Sequence, residues 1–245
     1  NLATVLQDLG RDNEVEQLYR RAMEVTLQTK GGQHPDMITR YNNLAEFYRE
    51  HDWFEQAEPL YQKAIALAES VFGPDHTDLA MCKGNLAKLY EDQNRHAESE
   101  VLYRQSLAIR EKVFGNDHPA ISVALHNLAS SLYKQGRYHD SEPLLLRALA
   151  LREAARGPDS VDLVIILSYL ASNEYALKQW QTGLDHARRA ARIVMASASR
   201  TSKVAGASNR DYARATLSNS HSSFANVVLG AWHVSNAAAS PQGSF

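Results

Sequence analysis

The chain has 245 residues, with 26 basic and 28 acidic side chains, 44% apolar residues and a formal net charge of −2. This composition excludes a disordered chain, and a single cysteine, Cys82, excludes an intramolecular disulfide or a cysteine-based zinc site. No apolar run approaches the roughly 20 residues a membrane helix needs, no signal-peptide pattern opens the chain, and the lone cysteine fits a reducing compartment, so a cytoplasmic setting is expected.

The chain opens on Asn inside a helical motif, which points to a piece of a longer protein whose first unit is cut short. The triplet N-L-A at Asn1 recurs at Asn43, Asn85 and Asn127, each 42 residues on, and the register continues at Tyr169 and Asp211. Fourteen residues after each Asn stands a small or β-branched residue: Val15, Ala57, Ser99 and Ser141, then Gly183 and Ala225. Four further on comes a large one (Tyr19, Tyr61, Tyr103, Leu145), and three beyond that a small one (Ala22, Ala64, Ser106, Ala148, Ala190). Small residues at fixed places let two helices cross closely, and large ones fill the gap between neighbouring pairs. A single hairpin of this kind cannot bury its apolar face alone, whereas stacked copies can.

Inside each unit a polar or glycine-bearing turn separates two helices: "DLGRDN", "EHDWF", "DQNRH", "KQGRY". Between units stand "GGQHP", "GPDHT", "GNDHP" and "GPDSV". Gly31, Gly73, Gly115 and Gly157 are predicted left-handed helix stops, and Pro35 and Pro119 fall in the first turn of the next helix. His34, His76 and His118 recur one per connecting turn. Equivalent atoms of successive pairs lie roughly 10 Å apart, too far to share a metal ion at about 2 Å. They are expected to hydrogen-bond the turn or helix start.

The pattern N-L-A-x-L-Y-x-x-Q-G-R-Y-x-x-(A/S)-E-x-L-Y-x-(R/K)-A-L, closed by G-x-D-H-P, resembles the 42-residue tetratricopeptide (TPR) repeats of the kinesin light chain family. It covers residues 1 to about 195 and fits best over 43–157. The resemblance implies an all-α, right-handed superhelical solenoid of antiparallel helix pairs. It also implies that the first helix of each pair lines a concave surface where extended peptides or partner helices bind. Residues 1–195 are then an array of five helix-pair units.

The fifth unit keeps Leu170, Ala171, Ala187 and Ala190 but loses the Asn and the closing Gly. Residues 196–210, "ASASRTSKVAGASNR", read as a Ser/Ala-rich basic linker. A degenerate sixth pair follows over 211–239, then a tail over 240–245. From Ser222 onward no Asp, Glu, Lys or Arg occurs. Since a terminal cap normally shows a polar outer face, Phe224, Val228 and Trp232 are interface candidates. "HARRAARIV" followed by "FANVVLGAW" is similar to the stretch joining TPR array and protease domain in bacterial CHAT (caspase-like) proteins. That resemblance implies a regulatory array whose catalytic domain lies outside this chain, and it carries over no catalytic residue.

No phosphate loop, H-E-x-x-H, G-x-S-x-G or EF-hand loop is present. No catalytic residue, metal site or cofactor is predicted, and no enzyme activity within these residues. Cys82, on the first helix of the third unit, reads as a small buried core residue. Residues 1–100 hold 18 acidic and 10 basic side chains, and residues 101–245 hold 10 and 16. That asymmetry could steer a partner or favour head-to-tail self-association. The basic stretch from Arg188 to Arg214 lacks interleaved aromatics, which argues against nucleic acid.

The expected function is therefore a protein-interaction module, with a self-assembling scaffold as the other non-catalytic reading. Register places Asn43, Asn85 and Asn127 in one row of the groove. Glu46, Lys88, Ser130 and Ser172 form a second row, Arg49, Glu91, Tyr133 and Tyr175 a third, and Asn42, His126 and Ser168 lie between. An amide both donates and accepts, so the Asn row can bond the backbone of an extended peptide, the role the resemblance implies. It can equally bond the next repeat and stiffen the array. Arg49, Lys88 and His126 would favour a carboxylate, and Tyr133 and Tyr175 an apolar or aromatic anchor.

Overall fold

The computed structural model describes Leu6 and residues 9–204, with side chains as far as Ser197. Among these residues the only regular secondary structure is α-helix and two short 3-10 turns. α1 (Asp12–Lys30), α2 (Asp36–Glu50), α3 (Phe54–Phe72), α4 (Thr77–Asp92) and α5 (His96–Phe114) belong to a first compact unit ending at Asn116. The second unit begins at Asp117. It holds a 3-10 turn (Pro119–Ile121), α6 (Ser122–Lys134), α7 (Tyr138–Arg156), a second 3-10 turn (Val161–Leu163), α8 (Val164–Ala176) and α9 (Trp180–Val204). α2 with α3, α4 with α5, α6 with α7 and α8 with α9 are antiparallel pairs, each closed by three residues.

The turn inside each pair repeats in backbone as well as in length. Gly10, Asp52, Asn94, Gly136 and Lys178 share one register, and all have positive φ, between 59° and 74°. The next residue returns its N–H to the carbonyl five residues earlier: Trp53 to Tyr48 at 2.8 Å, Arg95 to Tyr90 at 2.7 Å, Arg137 to Leu132 at 2.9 Å and Gln179 to Glu174 at 2.8 Å. This left-handed cap satisfies carbonyls that the helix end leaves open. Gly, Asn and Asp take it readily, whereas at Lys178 the Cβ costs about 1 kcal/mol.

The connectors between pairs end differently. Gly31, Gly73, Gly115 and Gly157 have φ of 83–86°, but ψ of 162–179° rather than the left-handed helical value. They occupy an extended mirror-image region that essentially only glycine can enter, and each N–H still closes on the carbonyl four residues back. Nδ1 of His34, His76 and His118 then accepts the N–H two residues on, at 3.2, 3.2 and 3.1 Å. Ser160 Oγ does the same at 3.3 Å. The recurring histidines are caps, as the spacing predicts.

The small residues of the register form the floor of the packing. Val15, Ala57, Ser99 and Ser141 are fully buried, as are Tyr61 and Leu145 from the large set. In the first unit Leu44, Phe47, Ala57, Tyr61 and Leu89 form one core cluster, and Met37, Ile38, Ala64, Leu79 and Cys82 another. Tyr hydroxyls tie successive pairs there, Tyr48 to Glu16 at 2.9 Å and Tyr90 to Glu58 at 2.8 Å. In the second unit Ile121, Leu125, Leu128, Leu132, Leu163 and Ile166 are buried. Truncating one such Leu to Ala costs about 2–5 kcal/mol.

Two boundaries differ from the sequence expectation. Residues 196–204, expected in a linker, continue α9, because Ala, Arg and Lys are good helix formers and Ser is only mildly poor. The array expected over 1–195 divides into two compact units after Asn116. Asn1, the remainder of the linker, the sixth pair with Phe224, Val228 and Trp232, and the tail lie outside the described residues.

Candidate functional site

The first helices of the pairs carry the candidate rows. In the first unit, α2 and α4 bring Asn42 and Asn85 together, but not as a ladder open to solvent. Asn42 is buried; its Nδ2 donates to the Ile38 carbonyl at 3.0 Å and lies 3.1 Å from Cys82 Sγ, and its Oδ1 accepts from Asn85 Nδ2 at 3.1 Å. Asn42 therefore joins two helices and is removed from the ligand-facing set. Asn85 is half-buried and committed to it, while Asn43 is exposed. Burial pushes the Cys82 thiol up to about 11, in keeping with its predicted core role.

The charged rows of α2 and α4 are likewise matched to one another. Arg49 grips Glu46 through Nε and Nη2 at 2.9 and 2.8 Å and reaches Asp92 with Nη1. Lys88 Nζ lies 3.0 Å from Glu46, and Tyr61 from α3 donates to the same carboxylate at 2.6 Å. Burial acts to raise the Glu46 pKa, but the hydrogen bonds from Arg49 and Tyr61 and the charges of Arg49 and Lys88 prevail, holding it down at about 2. Arg49 and Lys88, expected to attract a ligand carboxylate, already hold one belonging to the protein. Glu91 is buried next to the Tyr103 hydroxyl at 3.4 Å.

The second unit has another chemistry. On α6 and α8, Ser130 Oγ donates to the Tyr169 hydroxyl at 3.3 Å, and the Tyr169 ring meets His126 at 4.8 Å and Tyr133 at 6.2 Å. Tyr133 also meets Tyr138 at 5.2 Å. Asn127 is half-buried on the same face. Burial, with the nearby Arg152 charge, lowers the His126 pKa to about 4. His126 is thus neutral near pH 7 and offers a carboxylate a hydrogen bond at most, not a charge. Ser168 turns inward onto the Val164 carbonyl at 2.8 Å. Tyr175 turns away from the row and packs over Gly183 and Trp180, where its hydroxyl is buried without a partner among the described residues.

One row escapes the sequence reading. On the first helices, the large apolar side chains that stay exposed are Met81, Val123 and Ile165, at 37%, 50% and 46%. They are 42 residues apart and one helical turn before Asn85, Asn127 and Tyr169. The period alone could have revealed them, but an apolar residue in an amphipathic helix reads first as core.

Sequence profiles of the tetratricopeptide repeat match residues 1–36, 41–112, 92–140 and 120–196. The chain belongs to the tetratricopeptide repeat family. Its described residues form an all-α array of antiparallel helix pairs. Among solved structures, BtubC (BKLC) from P. vanneervenii is similar with a TM-score of 0.72 at 24% identity, over 80% of this chain and 78% of that one. A kinesin light chain-type protein of P. anserina with nearly identical TPR-like repeats gives 0.66 at 21%, over 78% and 91%. The apo form of RapI gives 0.67 at 14%, over 91% and 62%. At these identities the likeness is one of fold. A comparison with curated proteins gives no match. TPR arrays are protein-interaction scaffolds, generally without catalysis, and this chain is built as one. Among the described residues no group of three or more His, Cys, Asp and Glu could hold a metal ion, and no helix is long and apolar enough to cross a membrane.

Proposed function

We propose that this TPR scaffold binds extended segments of partner protein on the exposed first-helix faces of each unit taken by itself, α2 and α4 in the first and α6 and α8 in the second. The observation that carries the reading is the recurring exposure of Met81, Val123 and Ile165 beside the row Asn43, Asn85, Asn127 and Tyr169. Val123 and Ile165, left in water on neighbouring first helices, favour a recognition surface there, and adjacent amides and hydroxyls can pair with a peptide backbone. Asn43 and Asn127 are the amides best placed for that task, because Asn85 is spent on Asn42. No step of this reading needs catalysis or a cofactor.

The test is selection from a random peptide library displayed on phage, followed by titration of the selected peptides against Val123→Ser, Ile165→Ser and Asn127→Ala. Losses of about tenfold, or about 1.4 kcal/mol, with unchanged thermal unfolding, are expected. Selected peptides whose affinity ignores all three substitutions would move the site elsewhere.

A further inference from the structure

The two units differ in the charge they present, and the second offers a surface of one chemical kind. α6 and α8 together hold a single charged side chain on their outer aspect, Lys134, at the very end of α6. Glu174 is buried against His186 at 2.8 Å. The rest of the face consists of aliphatic Val123 and Ile165, the hydroxyls of Ser172, Tyr133 and Tyr169, the Asn127 amide and the neutral His126. Among the described residues neither the Tyr133 hydroxyl nor the Asn127 amide has a hydrogen-bond partner. Four rings run in contact from His126 through Tyr169 and Tyr133 to Tyr138, at 4.8, 6.2 and 5.2 Å.

Each property restricts the occupant. A charged segment would lose its water here with no opposite charge on α6 or α8 to replace it except Lys134 at the very end of α6. The Arg152 guanidinium of α7, whose charge acts on His126, is turned onto Ser122 Oγ at 2.9 and 3.1 Å. A helical segment satisfies its own backbone, so it would leave the tyrosine hydroxyls and the Asn127 amide unmatched. A polyproline II segment presents unpaired carbonyls and no N–H groups, along with flat apolar rings that lie on aromatic faces. With three residues per turn and about 3.1 Å per residue, it turns the same face to the row of rings roughly every 9 Å. Being extended before it binds, it also loses little conformational entropy.

Taking the first-helix faces as the peptide site, we infer that α6 and α8 form a subsite for an uncharged, proline-rich segment of the partner, with Tyr133 and Tyr169 as ring platforms and hydroxyl donors. The Asn127 amide donates to a further carbonyl, and Val123 and Ile165 cover the edge of the pyrrolidine rings.

The test uses the whole 245-residue chain and fluorescein-labelled, end-blocked decapeptides read by anisotropy: decaproline, a glutamate-rich peptide and an alanine–leucine helix former. Decaproline should bind at least tenfold more tightly than the other two. Tyr133→Ala and Tyr169→Ala should each weaken it about tenfold. Tyr133→Phe, which keeps the ring and the fold, should weaken it two- to fivefold. Circular dichroism melting of every variant identifies any that fails to fold, and the Phe variant then decides. Equal or tighter binding of the acidic or helical peptide overturns the inference, as does decaproline binding indifferent to both tyrosines. If peptides from the random library bind the faces while decaproline does not, only the proline-rich assignment fails. If no peptide binds at all, the peptide-binding reading fails with it.

Discussion

The Tyr61 hydroxyl donates to Oε2 of Glu46 at 2.6 Å, from the second helix of a pair to the first. This contact, with Arg49 and Lys88 on the other sides, closes the Glu46 carboxylate into a network. Glu46 has a folded-state pKa of about 2 against 4.5 for a free carboxyl. A depressed carboxylate contributes stability above its unfolded pKa and loses it as pH falls towards the folded value. Between pH 4.5 and 2 the chain should therefore lose about 1–2 kcal/mol through Glu46, allowing for solvent screening of a partly exposed group. Glu46→Gln should flatten that part of a urea-unfolding series taken against pH, and Tyr61→Phe should move it to higher pH.

His126 acts in a different window. Its folded pKa is about 4 and its ordinary value 6.5, so the unfolded chain takes up the proton first. Stability should decline as pH drops from 6.5 towards 4, by about 2–3 kcal/mol. His126→Gln should remove this slope and leave the Glu46 window intact, which separates the two groups in one data set.

Asn85 and Asn127 occupy the same register and should respond unequally. Asn85→Ala leaves the buried Oδ1 of Asn42 without its donor, a loss of about 1–2 kcal/mol in equilibrium denaturation. Asn127→Ala should stay within about 0.5 kcal/mol of wild type. Equal losses would show that Asn127 has a structural partner of its own.

Gly183 stands where other units carry Val, Ala or Ser. A Cβ there would lie 2.8 Å from Tyr175 Cε1 and 3.2 Å from the Ala171 carbonyl. The helix-propensity gain of about 1 kcal/mol from Gly to Ala is outweighed by forcing an aromatic ring off its seat, so Gly183→Ala should lower stability by about 1–2 kcal/mol. In a double-mutant cycle, Tyr175→Leu should recover most of that loss.

Lys178 is the residue least suited to its backbone, with φ of 61°. Lys178→Gly should raise the denaturation midpoint by an amount equal to about 1 kcal/mol, and Gly136→Val, the reverse experiment in the same turn, should lower it by more.

Helices, turns and packing were readable because they depend on residue type at fixed spacing: Gly31, His76, Ala57 and Leu145 declare their places without any neighbour being known. The partners on the faces were not. Asn42 and Asn43 are adjacent in sequence and about 100° apart around the helix, and only the approach of α4 decides which is buried against Cys82. Arg49 and Lys88 looked like free cations because Glu46, Asp92 and Tyr61 reach them through the fold. Tyr175 left its row because residue 183 has no side chain to stop it, a coupling between two helices that no single repeat reveals.

The extended glycines at 31, 73, 115 and 157 have a consequence for how such a chain can change over generations. Each joint rests on backbone geometry and a cap carried by the repeat itself, with ion pairs such as Lys30 with Asp36 and Lys112 with Asp75 added to it. A duplicated or deleted stretch of 42 residues therefore arrives with a working hinge already attached. Lineages are free to add, lose or shuffle whole cassettes, and selection then acts on the few face residues that distinguish one cassette from the next.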